Sequence, residues 1–336
     1  MSDGYAPWSR DQREAEEERL APAATRSVAS RGRARFEGPD DYRTAFERDR
    51  DRILHSKAFR RLKHKTQVFL NPEGDHYVTR LTHALQVTQV ARALAAALRL
   101  NEPLAEAIAL GHDCGHTPFG HVGEDALSPY MEGGWHHASQ GVRIFEVLED
   151  RNLTWEVRDG IRAHTWRIEP PPATPEGHCV RFADRIAYLS HDALDALRAG
   201  VLTAGDLPAS ARECLGEPGS QWLDRMIRAV VDETVRTGEV AMRPDVLAVM
   251  HELRQFMFAR VYLAADQTGR KQGAIEVIRR LVDHHLEHPE LIPVTYRDTG
   301  ANHVTQVLDY VAGMTDRFAL STYDQLFRPG LAALPD

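Results

Sequence analysis

The sequence predicts an all-α protein with at most a minor β-hairpin. Through most of its 336 residues, apolar side chains recur every three or four positions, which is the spacing of one helix face. Glycines end two of these segments, at Gly111 and Gly200, as expected at helix ends. No internal repeat and no glycine-rich phosphate loop of the GxGxxG or GxxxxGK(S/T) type is present. A bundle of packed helices is therefore expected.

The first 40 residues differ from the rest, because they are polar and irregular and carry a cluster of glutamates. We expect a partly ordered N-terminal arm over residues 1–40 and a single helical domain over 41–336. Within that domain we expect a core at about 80–200 and a C-terminal helical part at 201–336.

A helical pattern begins at Tyr42 and runs into TQVFLNPEGDHYVTR, residues 66–80. There, β-branched and aromatic residues alternate with turn signals, which predicts a short hairpin. Residues 80–100 then predict an amphipathic helix with His83 in its first turn.

The next predicted helix is PLAEAIALG, which Pro103 opens at a first-turn position and Gly111 ends. The proline-rich EPPPATPEG, residues 169–177, predicts an irregular loop. Helical periodicity covers most of six further segments: 135–150, 156–168, 178–200, 220–265, 272–287 and 306–327.

Composition is that of an ordinary globular protein, with 43% hydrophobic and 27% charged residues. The net charge of −8 argues against a protein dedicated to coating nucleic acid. The longest apolar run, ALAAAL, is flanked by arginines, so no membrane span or secretory signal is expected. Cys114, Cys179 and Cys214 form no CxxC pair, which suits a reducing cytoplasm and predicts a cytoplasmic location.

Residues 50–65, RDRILHSKAFRRLKHK, carry seven Lys or Arg and one acidic residue. Such a run is usually a solvated helix face. It is also the composition of a wall that faces phosphates, and the run by itself does not decide between the two.

The stretch LGHDCGHTPFGHVGED, residues 110–125, concentrates histidine and carboxylate beyond what a packing segment needs. His112 and Asp113 adjoin at a helix end, where one turn aims both at one metal ion. After them, glycines and a proline break the helix and let His116 and His121 fold back toward the same point. We therefore expect a chemical site at this helix end.

His83, His112, Asp113 and Asp184 together make a mixed nitrogen and oxygen ligand set. Such a set suits Mn²⁺, Fe²⁺, Zn²⁺ or Mg²⁺ and leaves positions open for water or substrate oxygen. The absence of thiolates argues against a structural zinc site, so the predicted ion is catalytic.

Two further patterns each have two interpretations. One helix face carries Asp184, Tyr188 and Asp192 at i, i+4 and i+8, with Arg185 beside them. This face is either the wall of a polar pocket or a salt-bridge stripe on the surface. His121 and Glu124 are three residues apart, so that the carboxylate could orient a general acid for a leaving alkoxide. The alternative is a surface pair.

With these residues, the chain resembles the bacterial deoxynucleoside triphosphate triphosphohydrolases of the HD-domain superfamily, the dGTPase-like proteins. The H…HD…D signature of that superfamily matches TRLTHALQV, LGHDCGHTPFGH and RFADRIAYLSHD. The likeness extends to RDRDRILHSKAFRRLKHKTQVF, GDHY and DYVAGMTDRFAL, so it covers nearly the whole chain. It implies an HD-domain helical bundle.

The resemblance also implies a role for each matching residue. The metal ligands would be His83, His112, Asp113 and Asp184, and the catalytic pair would be His121 with Glu124. The residues that line or contact the phosphates would be His116, His137, Arg61, Arg80 and Arg185. The residues around the sugar would be Gln67, Tyr188 and Asp192.

The activity implied by the resemblance is hydrolysis of a dNTP, with dGTP preferred, to deoxynucleoside and inorganic tripolyphosphate, in control of the dNTP pool. The implied cofactor is Mn²⁺ or Mg²⁺, with Fe²⁺, Co²⁺ or Zn²⁺ as alternatives. The chain is expected to form a homo-oligomer and to have no membrane partner, and weak binding of single-stranded nucleic acid is a second expected activity.

Other HD phosphohydrolases act on nucleoside monophosphates, cyclic nucleotides or ppGpp, and these remain alternatives. A further alternative is a nucleotide sensor or single-strand nucleic-acid-binding protein that keeps the pocket and regulates a partner. Two positions depart from the family pattern, Val78 in place of arginine and Ala138 in place of asparagine. Neither is a predicted metal ligand, so they bear on nucleotide preference more than on the reaction.

Overall fold

The computed structural model describes residues 6–67, 78–262 and 269–328. Over these residues it contains sixteen α-helices and no β-strand, which confirms the predicted all-α fold. The helices are α1 Arg10–Glu16, α2 Ala45–Leu54, α3 Lys57–Arg61, α4 Arg80–Ala97, α5 Glu102–Gly111, α6 His121–Leu127, α7 His137–Arg143, α8 Trp155–Ala163, α9 Pro175–Arg198, α10 Ala209–Leu215, α11 Ser220–Thr237, α12 Pro244–Met257, α13 Arg270–Glu287, α14 Val294–Arg297, α15 His303–Ala312 and α16 Asp316–Phe327.

The helices that carry the predicted site begin and end at sequence signals. The Asn101 side chain caps α5 by accepting from the Leu104 N–H, and a proline occupies the first turn. The hydroxyl of Thr174 caps α9 in the same way. Just beyond the end of α9, Gly200 has a φ of +68°, the left-handed conformation expected there.

The predicted hairpin falls mostly on residues 68–77, which lie outside the described residues. On either side of that gap, Thr66 and Thr79 form an isolated antiparallel bridge. The bridge brings the end of the basic run next to the start of α4, which carries His83.

Two hydrophobic clusters organise the helices. The larger one lies between α4, α5 and α9, which pack against one another, and it continues into α2, α8 and α10–α12. The smaller one is formed by α6, α13, α15 and α16 together with Phe119 and Trp135. The histidine-rich stretch, residues 110–125, begins at the end of α5 and continues into α6. It therefore runs from the larger cluster to the smaller one.

The predicted arm, residues 1–40, is described from residue 6 onward. Buried carboxylates on the helices form hydrogen bonds and ion pairs with this part of the chain. Glu176 on α9 accepts from the N–H of Thr25 at 3.0 Å and from its hydroxyl at 2.7 Å. Asp49 on α2 is fully buried and pairs with Arg33 of the arm. The division of the chain into an arm and one domain remains a prediction.

Among the described residues, none of the helices combines the length and the apolar character that crossing a bilayer requires.

Asp49→Ala is expected to lower the free energy of unfolding by about 3–5 kcal/mol, because a largely buried Arg33 then loses its carboxylate. The N–H and hydroxyl of Thr154, each 2.7 Å from Asp49, lose their acceptor as well. The matched control is Asp224→Ala, which removes an exposed ion pair. The side chain of Asp224 is 60% exposed and that of its partner Arg228 is 72% exposed. That change should cost less than about 1 kcal/mol. Urea unfolding measures the free energy of unfolding of both variants. Equal losses in the two would show that burial of the Arg33–Asp49 pair does not matter.

Candidate metal centre and its surroundings

Three helices bring the predicted metal ligands together. His83 lies in the first turn of α4, and Asp184 lies in the middle of α9. His112 directly follows the last residue of α5. One nitrogen or oxygen from each lies within 4.8 Å of the others. The His83 Nε2 is 3.2 Å from Asp184 Oδ1, and the His112 Nε2 is 3.8 Å from the same oxygen.

Asp113 lies between this group and the next one. Its Oδ1 is 3.3 Å from His112 Nε2 and 3.1 Å from His116 Nε2, while its Oδ2 accepts from Arg80 at 2.9 Å. Burial alone would raise the pKa of Asp113, but His112, His116 and Arg80 outweigh it and hold that pKa well below its usual range. Asp113 is therefore an ionised carboxylate inside the protein.

His112 shows that this group fits a divalent metal ion. Its Nδ1 is 2.6 Å from the carbonyl of Ala109, and since a carbonyl only accepts, Nδ1 carries the proton. In the neutral imidazole Nε2 is then the unprotonated nitrogen, and among the described residues this buried atom has no hydrogen-bond partner. Burial opposes ionisation of Asp184, but His83 and His112 keep its pKa below its usual value. A free nitrogen lone pair beside ionised carboxylates is a suitable donor set for such an ion.

A second cluster contains His116, His121, Glu124 and His137, again with one atom of each within 4.8 Å of the others. His137 Nδ1 donates to Glu124 Oε1 at 2.8 Å, and His121 Nδ1 lies 3.4 Å from Glu124 Oε2. The ring of His116 stacks on that of His137, with centroids 3.8 Å apart. His121 differs from the others because its side chain is 68% exposed.

The charge states within this cluster differ. Burial would raise the pKa of Glu124, but His137 and His116 hold it well below its usual value. Burial and the nearby Arg80 lower the pKa of His116 to about 4. Burial also opposes protonation of His137, but Glu124 overcomes it and raises the pKa of that imidazole. The cluster therefore holds an anion in contact with one imidazole that favours the protonated state.

His164, which follows α8 directly, joins this cluster, although its local sequence predicted no role for it. It is buried, its Nδ1 lies 2.7 Å from the carbonyl of Ile161, and its Nε2 lies 3.2 Å from His137 Nε2. Nδ1 must be the donor to that carbonyl, so Nε2 faces His137 as an acceptor. The histidine-rich composition of the region was the only signal for this residue.

Three of the predicted substrate residues lie on the face of α9. Asp192 is 4% exposed and accepts from the hydroxyl of Tyr262 at 2.6 Å, and burial raises its pKa to about 7. Tyr188 is half-buried, and the Arg185 guanidinium lies 4.0 Å from the ring centre of Trp166. The burial of Asp192 and the half-burial of Tyr188 do not fit a fully solvated stripe, and the pocket wall remains a prediction. Tyr262 and Trp166 had no assigned role in the sequence.

The basic run does not form a single wall. Arg50 and Arg52 pair with carboxylates, and Lys65 is buried, where it donates to the carbonyls of His116 and Ala312. Arg61 lies 3.4 Å from the Tyr296 hydroxyl, with no ion pair to the histidine clusters within the described ranges. Beyond the run, Gln67 has a buried Oε1 that no described group satisfies.

Gly115 lets the histidine-rich loop approach α7, which carries His137. A Cβ at this position would lie 2.0 Å from the carbonyl oxygen of His137 and 2.3 Å from the amide nitrogen of Gly141. Both are backbone atoms, which cannot rotate away. The position therefore requires glycine.

Gly115→Ala is expected to destabilise the protein by about 1–3 kcal/mol or more through overpacking. It should also lower the bound metal content, because the loop that shifts carries Asp113 two residues earlier. The matched control is Gly273→Ala on α13, where a new Cβ meets nothing within 4 Å. That variant should be neutral or slightly stabilised. Melting temperature and metal analysis measure both effects, and an unchanged Gly115→Ala protein would refute the close packing.

Comparison with known proteins agrees with this geometry. A family model described as an HD domain matches residues 80–189, which include His83, His112, Asp113 and Asp184. A second model, described as a phosphohydrolase-associated domain, matches residues 240–325.

Relatives with the name deoxyguanosinetriphosphate triphosphohydrolase-like protein match over most of the chain. The protein from Caldanaerobacter subterraneus is 46% identical, over 92% of this chain and 93% of its own. The protein from Desulfatibacillum aliphaticivorans is 44% identical, over 92% of this chain and 95% of its own. The protein from Clostridium perfringens is 42% identical, over 93% and 95%. As the motifs predicted, the chain belongs to the family of HD-domain, deoxyguanosinetriphosphate triphosphohydrolase-like proteins.

Proposed function

We propose that this phosphohydrolase cleaves dNTPs, with dGTP preferred, to deoxynucleoside and inorganic tripolyphosphate and so controls the dNTP pool. The HD domain and the names of the relatives support hydrolysis of a phosphate ester and a nucleotide substrate. The motif likeness set out above supports the deoxynucleotide and the tripolyphosphate product.

The observation that carries the proposal is the direct contact between the two clusters. Asp113 of the ligand group and His116 of the acid–base group are 3.1 Å apart. A phosphate ester bound there would meet metal ligands on one side and the exposed His121 on the other. Hydrolysis needs both a group that stabilises phosphate charge and a proton donor, and this arrangement provides the two together.

In this proposal His83, His112, Asp113 and Asp184 hold Mn²⁺ or Mg²⁺, with Fe²⁺, Co²⁺ or Zn²⁺ as alternatives. When bound, such an ion supplies Lewis-acid polarisation of a phosphoryl oxygen and lowers the pKa of a water molecule.

The protein residues then handle the leaving group. A water oxygen becomes bonded to the α-phosphorus as the bond to the 5′-oxygen breaks, and the water releases one proton to solvent, so the three phosphates leave together as tripolyphosphate. His121, held by Glu124, donates its proton to the departing 5′-oxygen, which becomes the 5′-hydroxyl. A general acid of this kind contributes about 10²–10⁴ in rate.

The remaining predicted residues would bind the substrate. Arg61, Arg80 and Arg185 with His116 and His137 would contact the phosphates, while Gln67, Tyr188 and Asp192 would surround the sugar. Among the described residues, no group bonds the buried Nε of Arg80 or the Oε1 of Gln67, so both side chains have a polar atom to offer. Val78 and Ala138 would affect nucleotide preference.

The homo-oligomer, the weak binding of single-stranded nucleic acid and the cytoplasmic location also belong to this proposal, supported by the resemblance and the composition. Ion pairing of Arg50 and Arg52 leaves fewer free cations for nucleic acid than the sequence of the basic run implies.

Product identification tests the proposal. Purified protein with Mn²⁺ or Mg²⁺ is incubated with each dNTP and each NTP, and the products are separated by ion exchange. Deoxynucleoside with tripolyphosphate is expected, abolished in Asp113→Ala and reduced about 10²–10⁴-fold in His121→Ala. Release of pyrophosphate or orthophosphate, or no turnover by metal-loaded protein, would refute it.

His164→Leu is expected to lower kcat by about 10–100-fold, because His137 loses the acceptor that orients its ring. His164→Gln, whose Oε1 can accept the same hydrogen bond, should lose less. The exposed His303 provides the control, His303→Gln, which should leave kcat unchanged. Steady-state kinetics with metal analysis measure the effect, and full activity in His164→Leu would show that His137 does not depend on this neighbour.

A further inference from the structure

The segment that joins α15 to α16 lies against the site although none of its residues is a predicted ligand. It belongs to the sequence DYVAGMTDRFAL, in which no residue is a predicted ligand, acid or substrate contact. Asp316, the first residue of α16, uses both carboxylate oxygens on loops of the site. Its Oδ1 accepts from the N–H of Phe119 at 2.9 Å, and its Oδ2 accepts from the N–H of Thr66 at 2.9 Å and from the Thr66 hydroxyl.

The contact with Phe119 lies where the loop needs external support. Phe119 and Gly120 have φ values of +61° and +60°, and a bulky residue rarely adopts this left-handed conformation. His121 follows immediately and begins α6, whose N-terminus has no side-chain cap. The position of His121 therefore depends on a costly backbone turn, and Asp316 binds the first residue of that turn.

The contact with Thr66 supports the opposite side of the site. Thr66 precedes Gln67, the residue proposed to contact the sugar. It follows Lys65, whose ammonium donates to the carbonyls of His116 and, at 3.1 Å, Ala312. One carboxylate thus joins the loop before the general acid to the loop that carries Gln67.

A purely local role for Asp316 does not account for these bonds. The cap of α16 is Thr315, whose hydroxyl accepts from the N–H of Phe318 at 3.2 Å. Asp316 favours the helix start only as a negative charge in the first turn, a modest effect. Its hydrogen bonds reach residues 197 and 250 positions away in the chain.

We propose that Asp316 is a positioning residue, which sets His121 for proton donation to the leaving 5′-oxygen by fixing the turn at Phe119 and Gly120. Through Thr66 it keeps the Gln67 side of the pocket at a fixed distance from that acid. The inference rests on the proposed dNTP hydrolysis.

A change of leaving group separates this role from general support of the fold. In a dGTP analogue with sulfur in place of the bridging 5′-oxygen, the thiolate leaves with little need for a proton. Loss of a correctly placed general acid therefore slows dGTP much more than the sulfur analogue. The enzymes compared are wild type, Asp316→Ala, Asp316→Asn and His121→Ala.

Asp316→Ala is expected to lower kcat for dGTP about 10–100-fold, while kcat for the sulfur analogue falls less than about threefold. Asp316→Asn keeps the size of the side chain and one acceptor oxygen, and it should show a smaller loss with the same preference for sulfur. His121→Ala should show the largest difference between the two substrates. Asp324→Asn, on the same helix and without a side-chain hydrogen bond in the described part of the chain, should behave as wild type.

These measurements separate failure of the positioning role of Asp316 from failure of the proposed dNTP hydrolysis. If wild type releases no tripolyphosphate from dGTP, the proposed function fails and this role fails with it. If His121→Ala slows both substrates equally, the general acid is wrongly assigned and Asp316 has nothing to position. A third outcome is that His121→Ala behaves as expected while the folded Asp316→Ala and Asp316→Asn variants keep the wild-type kcat, or lose kcat equally for both substrates. In either case the positioning role of Asp316 alone is overturned. Melting temperatures identify the folded variants.

Discussion

The site depends on the buried ion pair between Arg80 and Asp113. Their side chains are 2% and 5% exposed, so neither charge is tolerable without the other. Asp113 in turn lies within 3.3 Å of one nitrogen of His112 and one of His116. The Arg80 guanidinium fills the space beside Gly120, where a Cβ would come within 2.5 Å of it. One ion pair thus sets the distance between α4, the end of α5 and the loop that leads to His121.

The two halves of the site are built on different hydrophobic clusters. The metal-type ligands lie on helices of the larger cluster, whereas α6, with His121 and Glu124, packs into the smaller one with α13, α15 and α16. Asp309 on α15 also accepts from Arg143 and Gln140 of α7, each at 2.9 Å. The C-terminal helices therefore pack against the part of the site that contains His121, Glu124 and His137.

Electrostatics suit the site to a cation and a phosphate ester. Asp113, Asp184 and Glu124 stay ionised in spite of burial because imidazoles and Arg80 surround them. Burial keeps the pKa of His164 at about 3, so this ring faces His137 as a neutral acceptor. The interior therefore offers fixed negative charge that suits a metal ion, whereas His121 is exposed to solvent.

The start of α9 at Pro175 was not predicted, because the prolines indicated a loop through Gly177. The all-α fold, the end of α5 at Gly111 and the residue types of the proposed metal ligands could be predicted from the sequence. These follow from local patterns, such as apolar periodicity, the cap at Asn101 and the adjacent pair His112–Asp113. Three further features become visible only once the chain is folded: the basic run is divided, His164 contacts His137, and Asp316 binds Phe119 and Thr66. Those roles come from contacts between residues far apart in the chain, each of which costs loop entropy to form and leaves no mark on its local sequence.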